Sequence, residues 1–194
     1  MLDINTFTKG MTILEKCYKG FKLESEEILA WYEVIKTDTD EDAFLPLILN
    51  YCRTESSPTC PADLIRFGKK ILMDNAPAPA FIANELIESV RRMQFDYDFS
   101  YSNPSNKEIE EYLLNDLIGH NAAFRQNNIY VIVVTLLNDY SAVIIDTVSR
   151  NDSTEMSILT SELKSSYRKE LDKTVSRTIL TSNLLEGMNP LLLN

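Results

Sequence analysis

The chain has 194 residues, of which 19 are basic and 29 acidic, for a net charge of −10. That length holds one domain or a small domain with an appended unit, and the 44% apolar content is enough for a packed core and argues against wholesale disorder. The charge argues against a protein whose main task is gripping DNA or RNA, or against a polybasic membrane binder, because both need clustered Lys and Arg, and five glycines with few strand-turn signals argue against an all-β fold.

In chain order, Phe7, Met11, Leu14 and Tyr18 recur at helical spacing over residues 5–20, and Gly20 suits the end of that helix. Ser25 is the expected cap of a second helix, with Glu26 and Glu27 in its first turn and Ile28, Leu29, Trp31, Tyr32 and Ile35 as its apolar content. Trp31 lies on the apolar face and reads as core. Asp38-Thr39-Asp40 starts a third helix holding Phe44, Leu45, Ile48, Leu49 and Cys52, in which Pro46 predicts either a kink or a late start. Pro58-Thr59-Cys60-Pro61 is a rigid turn, and Pro61 launches a helix to Met73 with Leu64, Ile65, Gly68, Ile71 and Leu72 facing inward.

Ala76-Pro77-Ala78-Pro79 reads as a linker, so a boundary is expected over 76–80. A helix from about Phe81 to Met93 follows, then an aromatic, Asp-rich connection, then a helix opened by Asn103-Pro104, running to Ile118 and ended by Gly119. Residues 121–149 are ambiguous. Their β-branched content fits a hairpin over 129–148 turning at Asn138-Asp139-Tyr140-Ser141. Against that, Ile129, Val133, Leu136, Leu137, Tyr140, Ile144, Thr147 and Val148 fit a helical face, and the first run does not alternate, so a long buried helix is favoured. Ser153 is the expected cap of a last helix striped by Met156, Leu159, Leu163, Tyr167, Leu171 and Val175 and stopped by Gly187 and Pro190. The expected fold is therefore all-α, an N-terminal helical bundle over 1–75 and a second helical region over 81–194, with α+β as the alternative.

Little in the chain points to catalysis. His120 is the sole histidine and reads as a residue at a helix end, where positive charge is favourable. Cys17, Cys52 and Cys60 contain no CxxC pair and lack the four close ligands of a zinc site; they read as buried, inert thiols in a reducing setting. Gly68-Lys69-Lys70 has no preceding glycine and is not a P-loop. Asp38, Asp40, Glu41 and Asp42 suit a helix start and lack the glycine of a calcium loop. No cofactor or metal is expected. A signal-like start is absent and the run Ile129–Val134 is short against the roughly 20 residues of a membrane span, so a soluble cytoplasmic protein is expected. Charge is spread: residues 1–78 hold 9 basic and 13 acidic, 79–150 hold 5 and 10, and 151–194 hold 5 and 6. A nucleic-acid footprint would have to be a small local patch, such as Arg66, Lys69 and Lys70, or Arg91 and Arg92, and these read as solvated helix faces.

The first 75 residues run from an amphipathic helix through Tyr18-Lys19-Gly20-Phe21 into Ser25-Glu26-Glu27 and Ala30-Trp31-Tyr32, then the acidic break Asp38–Phe44, then Ile48-Leu49-Asn50-Tyr51 and Ser57-Pro58-Thr59-Cys60-Pro61-Ala62-Asp63-Leu64-Ile65. This order resembles the N-terminal helical domain of the phage replicative-helicase loader/inhibitor family of Gram-positive bacteria. The resemblance implies a non-enzymatic protein in the host bacterial cytoplasm. It implies that the protein binds a hexameric replicative helicase, holds it off DNA, and delivers it to the origin through a phage origin-binding protein. An acidic protein suits docking on basic protein surfaces, and the tail residues Leu184, Leu185, Met188, Leu191, Leu192 and Leu193 are the candidate partner-binding set, since termini are normally polar. Two other readings are a helical phage adaptor or inhibitor of another host protein, and an enzyme using Asp96 and Asp98 with a divalent metal.

Overall fold

In a computed structural model that describes residues 2–96 and 105–180, the chain is all-α. Eight α-helices are present among the described residues: α1 (Ile4–Cys17), α2 (Ser25–Ile35), α3 (Glu41–Thr54), α4 (Pro61–Asn75), α5 (Pro79–Asp96), α6 (Asn106–His120), α7 (Asn127–Arg150) and α8 (Ser153–Arg177), with a short 3-10 turn at Ala122–Arg125. The chain divides into two units. The first is Met1–Asn75 together with the segment from Val175 onward, and the second is Ala76–Thr174. The sequence reading kept 76–80 as linker and 81–194 as one region; here Pro79 already opens α5, and Val175–Leu180 group with the first unit.

In the first unit the apolar periodicity becomes one core: Leu2, Phe7, Met11, Leu14, Trp31, Ile35, Phe44, Ile48, Tyr51 and Leu64 are buried together, with Ile65 partly buried against them. Trp31 packs edge-on against Phe21. Helices α1 and α3 run side by side in the same direction, because contacts advance together along both: Thr6 with Glu41, Gly10 with Phe44, and Tyr18 with Tyr51 and Glu55. Gly10 makes the approach close; a Cβ there would lie 2.3 Å from the Phe44 ring. The Tyr18 hydroxyl lies 3.1 Å from the Tyr51 carbonyl oxygen, which also accepts the Glu55 N–H, and 2.9 Å from the Glu55 carbonyl just past the end of α3.

Several helix ends differ from the sequence expectation. Glu24, not Ser25, precedes α2, and the Glu27 carboxylate accepts its backbone N–H at 2.8 Å. α3 starts at Glu41 and contains Pro46, so the proline delays nothing. Only the early turns of a helix tolerate a missing N–H cheaply, and Pro46 sits just beyond them. α6 is capped by Ser105, which with Glu108 forms a reciprocal box, and it passes through Gly119 to His120. Asp152, not Ser153, caps α8: its carboxylate accepts Thr154 N–H at 2.8 Å and Glu155 N–H at 3.0 Å. α8 ends at Arg177, ahead of Gly187 and Pro190.

In the second unit the ambiguous stretch is helix α7, 24 residues long, and no hairpin forms. Ile129, Ile132, Val133, Leu136, Leu137, Ile144, Thr147 and Val148 are buried, and the Tyr140 hydroxyl meets Ser166 Oγ of α8 at 2.7 Å. Its other side carries Asn138, Asp139, Asp146 and Arg150. By length and composition alone α7 could cross a membrane, with mean hydropathy 1.7, while 44% of its most apolar window is buried within the protein. Asn151 closes α7 in the left-handed region (φ 53°), a conformation asparagine accepts more readily than most residues.

Candidate functional site

The tail residues Leu184, Leu185, Met188, Leu191, Leu192 and Leu193 lie outside the described residues, but the chain leading to them is anchored. After α8, Leu180 pairs with the turn between α2 and α3. Its N–H donates to the Asp38 carbonyl and its carbonyl accepts the Asp40 N–H, both at 2.8 Å, an isolated parallel bridge centred on Thr39. The Leu180 side chain is fully buried and fills a notch that exists because residue 68 has no side chain. A Cβ on Gly68 would lie 2.3 Å from Leu180 Cδ1 and 3.1 Å from Leu47 Cδ1. Lys69 completes the anchor, its Nζ donating to Asp38 at 3.0 Å and to the Ser176 carbonyl at 2.9 Å. The chain therefore departs toward its apolar tail from the first unit, beside α4.

One turn further along α3 and one residue back on α4, a cleft of about 370 Å³ opens, lined by Tyr51, Glu55, Ser56, Ser57, Thr59, Asp63, Arg66, Phe67 and Lys70. One of its two carboxylates is committed to local structure: Asp63 accepts the Thr59 N–H (2.8 Å), the Thr59 hydroxyl (2.9 Å) and the Cys60 N–H (3.1 Å). The bonds from Thr59, then that from Cys60 and the nearby Arg66, hold its carboxyl below the ordinary range despite a small opposing effect of burial. Asp63 is thus an ionised anchor for the start of α4 and a poor proton donor. Burial raises the Tyr51 phenol, and the charges of Asp63 and Glu55 add to this. The cleft also presents the exposed cations Arg66 and Lys70 beside Glu55.

The basic clusters of the sequence are largely balanced by neighbours. Lys69 pairs with Asp38, Arg66 with Asp63 and Arg91 with Glu88. Arg92 of α5 forks onto Asp116 of α6, with Nη2 at 2.7 Å and Nε at 3.0 Å. Asp116 is mostly buried; burial raises its carboxyl, but the bonds from Arg92 and Ser89 and the charges of Arg92 and His120 outweigh that and bring it below the ordinary range. His120 Nδ1 lies 2.9 Å from the Asp116 carbonyl and 3.2 Å from its carboxylate, in the last turn of α6. It sits at a helix end, as its position predicted. Among the described residues no group of three or more His, Cys, Asp or Glu could hold a metal ion. Of the enzyme reading, Asp98 and the Asp96 side chain lie outside the described residues.

Sequence reasoning missed the Leu180 seat. The signals for it, a helical glycine and an isolated leucine after a helix, are each common and are far apart in the chain. Comparisons with family models, with curated proteins and with solved structures give no match.

Proposed function

We propose that the chain is a non-enzymatic DNA-replication accessory protein that binds a hexameric replicative helicase and loads or inhibits it. The observation that carries this reading is the make-up of the first unit. A helix, a second helix with a buried Trp31, an acid-started third helix and a Pro61-launched fourth follow one another in the order on which the family resemblance rests, and the apolar tail leaves from that same unit. The net charge of −10 favours docking on basic protein surfaces and disfavours DNA, so the protein acts on the helicase and not on the nucleic acid. In this reading α7 is a core helix of a soluble protein of the bacterial cytoplasm, its polar face turned outward, and an origin-binding phage protein is the second partner.

Titration of the full chain into a purified replicative helicase hexamer from a Gram-positive bacterium, followed by calorimetry and size-exclusion chromatography, tests the proposal. A stable complex is expected. Replacing Leu191 and Leu192 by Asp is expected to weaken it by about tenfold or more, roughly 1.4 kcal/mol, while leaving the helical circular-dichroism signal unchanged. Absence of any complex would overturn the helicase assignment and favour the adaptor reading. A complex indifferent to the tail variant would move the binding surface elsewhere, with the α3–α4 cleft the next region to vary.

A further inference from the structure

Two of the three cysteines occupy matching positions on the α1–α3 pair. Thr6 Oγ1 donates to Glu41 Oε1 at 2.9 Å, fixing residue 6 opposite residue 41. Eleven residues further on is three helical turns on either helix, which returns to the same side. On α1 that step reaches Cys17, its last residue; on α3 it reaches Cys52, two residues before the end. Because the helices run in the same direction, and Gly10 lets them approach closely, the register is kept over the whole span; Tyr18 reaching Tyr51 and Glu55 shows that it holds at the far end. Cys17 and Tyr18 are the neighbours that bear on the Cys52 thiol. Cys17 is exposed and Cys52 is partly buried.

We propose that Cys17 and Cys52 form a redox-active dithiol that closes to a disulfide when a hydroperoxide reaches the exposed Cys17. The Cys17 thiolate attacks the peroxide; an S–O bond forms, the O–O bond breaks and hydroxide leaves to become water. The Cys52 sulfur then attacks the sulfenic Cys17 sulfur, the S–S bond forms, and the S–O bond breaks with loss of a second water that carries away the Cys52 proton. Two thiols lose two electrons and one hydrogen peroxide becomes two waters. The division of roles follows the surroundings. Burial, reinforced by the neighbouring Cys17, pushes the Cys52 thiol up to about 12, so it waits as a thiol while the solvent-facing Cys17 is oxidised first. Cys60 sits in the Pro58–Pro61 turn that leads into α4. The closed bond ties the end of α1 to the end of α3 and spans all of α2.

The test treats the full-length reduced protein with hydrogen peroxide, alkylates it and digests it with trypsin without reduction. Mass spectrometry is expected to show the peptides of Cys17 and Cys52 joined, two hydrogens lighter than their sum, with Cys60 alkylated. Cys60→Ser is expected to keep the cross-link. Cys52→Ser is expected to abolish it and to trap Cys17 as a sulfenic acid that reacts with dimedone. The oxidised protein is expected to melt roughly 5–10 °C higher, reversibly with dithiothreitol, because the bond restricts the unfolded chain. Cross-links that include Cys60, or over-oxidation of Cys17 in the native protein with no link to Cys52, would overturn the proposal.

Discussion

At Gly10 the α1 backbone lies against the Phe44 ring, and the substitution of one hydrogen by a methyl sets two effects against each other. Alanine gains about 0.5–1 kcal/mol of helix propensity over glycine. Overpacking a filled core costs about 1–3 kcal/mol. The second effect wins here, because Phe44 is fully buried, stacks on Phe7 with ring centres 5.5 Å apart, and cannot turn away. Gly119 supplies the internal comparison, since nothing lies within 4 Å of a Cβ built there and the residue is helical. Gly10→Ala is expected to destabilise the protein by about 1–2 kcal/mol and Gly119→Ala to stabilise it by about 0.5–1 kcal/mol in urea unfolding. Equal effects would show that the α1–α3 approach is looser than the geometry states.

At the level of elements, caps decide where helices begin, and Asp152 is the clearest case. Its carboxylate accepts bonds from Glu155 and Thr154 N–H groups and is held below the ordinary carboxyl range by them. A depressed folded value means that the stabilisation is complete above the unfolded value, near 3.9 for an aspartate, and is lost as pH falls through the folded one. Asp152→Ala is therefore expected to lower the melting temperature by about 2–4 °C at pH 7, with the gap narrowing below pH 4, followed by circular dichroism at 222 nm. The same element shows what was legible in advance. The stripe of α8 and the burial of Leu159, Leu163, Tyr167, Leu171 and Val175 follow from spacing alone. α7 was legible by its period despite β-branched propensity, because its run of apolar residues lacks the alternation a strand needs. Exact ends were not legible, since Glu24 and Ser25, or Asp152 and Ser153, are adjacent residues that can all cap, and only the backbone geometry chooses. The candidate site was less legible still. Leu180 contacts turn and helix residues that local periodicity cannot connect to it; Lys69 and Ser176 alone are 107 positions apart.

For the molecule as a whole, the question is how the end of the chain is held. Two backbone hydrogen bonds and one fully buried leucine fasten Leu180 to the α2–α3 turn and α4, and Lys69 holds the Ser176 carbonyl just before it. Burying a leucine side chain contributes about 1.5–3 kcal/mol, and truncating one in a filled notch costs about 2–5 kcal/mol. The half-buried Lys69–Asp38 ion pair, still open to solvent, adds little by comparison. Leu180→Ala is therefore expected to destabilise the protein by about 2–5 kcal/mol. A chain ending at 177 is expected to be destabilised at least as much, because it also loses both bridging hydrogen bonds. A chain ending at 183 keeps the whole anchor and is expected to melt with the full-length protein, while losing the helicase affinity proposed for Leu184, Leu185, Met188, Leu191, Leu192 and Leu193. The two truncations are thus expected to separate holding from binding, 178–180 acting on stability and 184–194 on the proposed partner affinity. Denaturation of the three variants beside the parent checks this division, and a chain ending at 183 that unfolds as readily as one ending at 177 would place the apolar tail in the core instead of on a partner.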